Sequence, residues 1–241
     1  MIGGFIITGN TPKKVLMRAL GPSLASFGIT NFVPDPLLQL RAEGGALIQQ
    51  NDNWKDDQRA EIEATGLAPG DDRESVIIAT LAPGQYTGLL TNKLGAPGIG
   101  TFEVYDLNFS ADSELANIST RGIVLTGDNV MIAGFTLGNS VAPTNLAIRA
   151  RGPSLSNFFG NVLADPTLEL RDANGALITS NDNWQDDPVS AALLTANGLG
   201  LSDPKKSGLF LTAIAPGQYT AIVAGKNGGT GIALVELYNV K

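Results

Sequence analysis

The sequence predicts an all-β protein built from two tandem antiparallel β-sandwiches of jelly-roll type, each with one short helix. Three observations predict it. First, the chain is internally duplicated. Asn51-Asp52-Asn53-Trp54 with Asp56-Asp57 returns as Asn181-Asp182-Asn183-Trp184 with Asp186-Asp187, an offset of 130 positions (184 − 54), and these are the only two tryptophans in 241 residues. Second, glycine (29) and proline (13) are abundant while charged residues make up only 16%, which favours short strands and tight turns over long helices. Third, apolar residues alternate with period two, as at Val15-Met17-Ala19 and Leu146-Ile148-Ala150, the spacing of a strand with one face on a core.

The duplication sets the frame: residues 1–109 as a first repeat, 110–117 as a linker, and 118–241 as a second repeat. Each repeat is of ordinary domain size. Met1–Thr8 reads as a strand, with Gly3-Gly4 marking a bulge or a close approach, and it matches Met131 onward. Asn10-Thr11-Pro12 is a turn. The next strand carries Arg18 or Arg149 on its charged side, with Asp35 and Asp165 as expected carboxylate partners. Gly21-Pro22-Ser23-Leu24 and Gly152-Pro153-Ser154-Leu155 break that strand. Leu38 and Leu40, against Leu168 and Leu170, alternate in the following one. Asn174-Gly175 then signals a hairpin turn, with Gly44-Gly45 in its place in the first repeat. After each tryptophan comes a helix. Asp187 precedes Pro188 as an N-cap, Asn197-Gly198 closes the helix, and Asp57 is expected to cap in the same way. Ala-Pro-Gly-Gln-Tyr-Thr (82–87 and 215–220) is a tight turn between two strands, and a glycine-rich loop leads to the last strand. Ile118–Thr126 is expected to form a hairpin with the strand at Met131 through Gly127-Asp128-Asn129. The first arm of that hairpin is missing from the first repeat, so residue 1 aligns with an ordinary internal position. The expectation is a mature or excised part of a longer protein, with a coincidental start codon as the alternative.

Composition excludes several classes. Without cysteine there is no disulfide or thiol chemistry, and without histidine no Ser-His-Asp triad. A net charge of −7 and a pI near 4.6 disfavour nucleic acid and anionic membrane as partners. No apolar run is long enough for a membrane span.

Two stretches carry a family resemblance. Leu168–Gly175, Asn181-Asp182-Asn183, Ile214–Thr220 and Gly228–Tyr238 resemble the bacterial pre-peptidase C-terminal (PPC) domain. The whole repeat, with Asn117–Gly122, Thr126–Ile132 and Gly-Pro-Ser-Leu, resembles units that recur in tandem in large secreted bacterial proteins of unknown function. The first resemblance implies a secreted β-sandwich with relatives that bind calcium or collagen-like ligands. The second implies export and a modular role, and no reaction.

Candidate site residues follow from these readings. Asp52, Asp56, Asp57, Asp182, Asp186 and Asp187 could ligate Ca²⁺, a hard ion that takes several oxygens; the plainer reading makes Asp57 and Asp187 helix caps and leaves the others solvated. Trp54 and Trp184 could stack on a sugar, or cover a core edge. The Met1–Thr8 edge, with Ile2, Phe5 and Ile7, could receive a strand from a neighbouring protomer or repeat, offered by Ile118–Thr126 (Ile118, Val124) or the last strand (Leu234, Leu237). The favoured function is a non-enzymatic extracellular structural subunit that assembles head to tail into a fibre or surface layer. The alternative is a calcium- or glycan-binding targeting module.

Overall fold

A computed structural model describes residues 1–138 and 144–240. In chain order the strands are β1 (Ile2–Gly9), β2 (Lys13–Leu20), β3 (Pro36–Ala42), β4 (Leu47–Asn51), β5 (Ser75–Leu81), β6 (Gly84–Asn92), β7 (Thr101–Asp106), β8 (Ser113–Val124), β9 (Met131–Leu137), β10 (Thr144–Arg151), β11 (Pro166–Asp172), β12 (Leu177–Asn181), β13 (Ser207–Ile214), β14 (Gly217–Gly225) and β15 (Gly231–Val240). The helices are α1 (Arg59–Ala64), between β4 and β5, and α2 (Pro188–Ala196), between β12 and β13. Strands β1 and β6, β10 and β13, β9 and β14, and β2 and β5 pair antiparallel, and the chain divides into two compact units, 1–116 and 117–241. Most of the expected linker 110–117 is therefore strand: β8 begins at Ser113 and crosses the unit boundary.

Unit 1 stacks β4-β3-β6-β1 against β5-β2-β7. Unit 2 stacks β12-β11-β14-β9 against β13-β10-β15-β8. Strict alternation on β2 sends Val15, Met17 and Ala19 inward, where they meet Phe5, Ile7, Leu38, Leu40 and Leu90. Unit 2 repeats this core with Ile148, Ala150, Leu168, Leu170, Val223 and Val235. The opposite faces of β2 and of its counterpart β10 are covered too. Leu16 packs with Trp54, Ile62 of α1, Val76 and Ile78, and Ala147 packs with Trp184 and Leu194 of α2. Each unit thus has two apolar layers, one between its sheets and one beneath its helix.

The Gly-Pro-Ser-Leu motif follows from a close approach. A Cβ on Gly21 would stand 1.9 Å from the Val33 carbonyl oxygen, and one on Gly152 stands 1.9 Å from that of Leu163. Only glycine fits, and the following proline opens a 3₁₀ turn.

Three expectations are corrected. Ile118–Thr126 and the Met131 strand form no hairpin. β8 pairs with β15 while β9 pairs with β14 in the opposite sheet, so the turn at 125–129 is an arch between sheets. A turn signal fixes a reversal of direction and is silent on which sheet receives the next strand. Second, Met1–Thr8 is not an open edge. β1 pairs with β6 on one side, and the opening of β8 lies along the other, where the Asn10 and Thr11 amides donate to the Asp112 carbonyl. Third, Arg18 and Arg149 do not pair with Asp35 and Asp165. They pair with Glu103 (2.5 Å) and Glu236 (2.8 Å), directly across the ladder on β7 and β15.

Candidate functional site

The duplicated Asn-Asp-Asn-Trp turn is held by its first asparagine. Asn51 accepts from the Val76 amide (2.9 Å) and donates to the Asn53 carbonyl (3.1 Å). Asn181 does the same with Gly208 (2.9 Å) and Asn183 (3.0 Å). The Trp54 and Trp184 amides then donate to the Glu74 and Lys206 carbonyls, both at 2.8 Å. This lays each indole on its outer core, 5% and 8% exposed. Neither ring offers an open face to a ligand, and each Nε1–H is buried without a partner.

Five of the six aspartates are taken up by separate structural tasks. Asp52 pairs with Lys93 and Asp182 with Lys226, and the hydrogen bond raises both lysine pKa values. Asp56 and Asp186 accept from Asn53 (3.0 Å) and Asn183 (2.9 Å). Asp187 caps α2, accepting from the Val189 and Ser190 amides. Asp57 does not cap α1. The cap position is Gln58, in a left-handed conformation (φ 55°), whose side chain bonds both the amide and the carbonyl of Ile78. Position 188 holds a proline that sets the first turn of α2, and position 58 does not. Glu169, Asp182, Asp186 and Asp187 line one open groove in unit 2, yet no three acidic side chains among the described residues converge as a metal group would require.

The expected interface residues divide between cores and edges. Phe5 and Ile7 are 1% exposed in the unit 1 core, with Phe5 stacked on Tyr86. Val124 and Leu237 lie in the unit 2 core. Ile2, Ile118 and Leu234 are half-buried. The first four are committed to their own unit and cannot also form a seam.

Sequence reasoning missed two features. One is a matched Arg–Glu–Tyr cluster under each helix. Arg18 joins Glu103, the Tyr105 hydroxyl (2.8 Å) and the Leu67 carbonyl (2.8 Å); Arg149 joins Glu236, the Tyr238 hydroxyl (2.9 Å) and the Leu199 carbonyl (3.0 Å). Burial raises both tyrosine pKa values, and the neighbouring glutamate adds to it. The other is a buried charge exchange. Glu74 is fully buried and accepts from the Gly21 amide (2.9 Å), the Ser23 amide (2.9 Å) and the Ser23 hydroxyl (2.5 Å). The equivalent of Glu74 in unit 2, also one residue before a buried serine, is Lys206, 2% exposed, with Nζ on Ser202 (2.9 Å). Burial lowers its pKa, and nearby Arg151 lowers it further. The signal was available only by aligning both repeats from their tryptophans to Ser75 and Ser207.

No family profile and no curated protein matches the chain. Among solved structures it is similar to the major capsid protein P2 from Bacteriophage PM2 (8% identity, 100% of this chain and 92% of that one, TM-score 0.29). It is also similar to a chain of Sulfolobus Turreted Icosahedral Virus (11%, 99% and 88%, TM-score 0.24). A putative secreted protein from Eubacterium rectale is similar as well (9%, 98% and 69%, TM-score 0.22).

Proposed function

We propose that the chain is a non-enzymatic structural subunit acting outside the cell, whose copies assemble head to tail into a fibre or surface layer through their sheet edges. The observation that carries this reading is the division of β8. Its residues up to Ala116 belong to unit 1, where Leu115 packs on the core, and its residues from Asn117 pair with β15 in unit 2. A strand that serves one unit and then the next is the natural joint of a serial array. Among the described residues β7 and β9 each have a single strand neighbour, and such edges favour association. Among the described residues no three acidic side chains converge to support the calcium alternative. Negative-stain microscopy and sedimentation of the purified chain, with and without calcium, test the proposal. Concentration-dependent filaments or sheets are expected. A monodisperse monomer at every concentration overturns it, and particles that change only with calcium favour the binding module.

A further inference from the structure

We infer that the outer edge of β7 is a docking slot for an extended strand with the sequence pattern of Asn117–Val124. This deepens the structural reading above by naming the edge and its occupant.

The argument is one of equivalence. β7 lies on β2 in the register that β15 keeps on β10: Arg18 faces Glu103 as Arg149 faces Glu236, and Ala19 faces Phe102 as Ala150 faces Val235. On its other side β15 carries β8, pairing Val235 with Thr120, Leu237 with Ile118 and Tyr238 with Asn117. In the described residues no strand fills that place on β7. The difference is visible in burial. Val235 and Leu237 are 0% and 5% exposed, whereas their counterparts Phe102 and Val104 are only partly buried. β8 also delivers Val124 into the unit 2 core.

The occupant is specified by what holds β8. Asn117, 7% exposed, donates through Nδ2 to the Leu237 carbonyl (2.8 Å). On β7 the equivalent acceptor is the Val104 carbonyl. A docked strand therefore runs antiparallel, sets its asparagine across from Tyr105, and covers Phe102 and Val104. Strand addition of this kind draws affinity from main-chain hydrogen bonds and specificity from alternate side chains.

The test uses the full chain and a synthetic peptide of residues 117–124, read by hydrogen exchange at the amides of 101–106. Saturable slowing there is expected, with none from a scrambled peptide, and about fivefold weaker binding when the peptide carries Asn117→Ala. A second variant joins an extra copy of residues 117–130 directly ahead of Met1; it is expected to protect the same amides without added peptide and to raise the melting temperature of unit 1. No protection at 101–106 in either experiment overturns the inference. So does protection that grows with protein concentration alone and is unaffected by peptide, because the occupant is then an edge strand of a second copy. If the chain assembles while 101–106 stay unprotected by peptide, this inference fails and the structural function stands. If the peptide docks while the chain remains monomeric, the slot stands and self-assembly fails.

Discussion

At the scale of single residues, the two repeats have exchanged bulk in a compensated way. Phe102 stands where unit 2 has Val235, and its ring lies over Gly3 and Gly88, where unit 2 has Ala133 and Ala221. A Cβ on Gly3 would come 2.0 Å from the ring, and one on Gly88 2.2 Å. Gly88→Ala is therefore expected to destabilise unit 1 by about 1–3 kcal/mol through overpacking. Phe102→Val in the same chain is expected to recover much of that loss, as read by denaturant unfolding; equal additive losses would refute the coupling. Lys206 supplies a pH prediction. Its folded pKa lies below the unfolded value, so the unfolded state binds more protons between the two and stability rises with pH across that window. The stability of the natural chain relative to Lys206→Met is expected to grow as pH climbs toward about 10.4, the unfolded lysine value. The raised tyrosines work in the opposite direction above about pH 10 and cancel in this comparison, since both proteins carry them.

At the scale of elements, the helices give a matched pair. Asp187→Ala removes a cap that satisfies two amides and is expected to cost about 1 kcal/mol. Asp57→Ala, outside the cap position of α1, is expected to stay within about 0.5 kcal/mol. Thermal unfolding of the two variants measures the contrast, and equal losses would refute it. The same pair shows where sequence reading succeeds. The Asp187-Pro188 cap, the glycine stop after α2 and the Asn174-Gly175 turn were legible because each is local chemistry with a local signature. The Arg149–Glu236 pair was not, because its partners are 87 residues apart and meet only through ladder register. The arch between β8 and β9 stayed hidden for a related reason: the identity of the receiving sheet is decided by β14 and β15, almost a hundred residues later.

For the whole molecule, duplication and period two were enough to read the sandwich class, since both survive in composition and spacing. The division of labour among its acids was not readable. Six aspartates in two like clusters suggested a shared ligand, yet the fold spends five of them on lysines, asparagines and a helix cap. The net charge of −7 carries one more expectation. Copies of an acidic chain repel, so self-association is expected to strengthen as salt rises from about 10 mM to about 150 mM, where the screening length falls from about 30 Å to about 8 Å. Sedimentation velocity across that range measures it, and association weakened by salt would point to a seam of opposite charges. The buried exchange of Glu74 for Lys206 acts at this scale too. Tandem repeats of like sequence are prone to misassembly, in which a strand of one copy completes its neighbour. Were β13 to enter unit 1 in place of β5, the Lys206 ammonium would face the Gly21 and Ser23 amides, donor against donor, where Glu74 is fully buried. One reversed charge would thus penalise the crossed product and leave each copy to close upon itself.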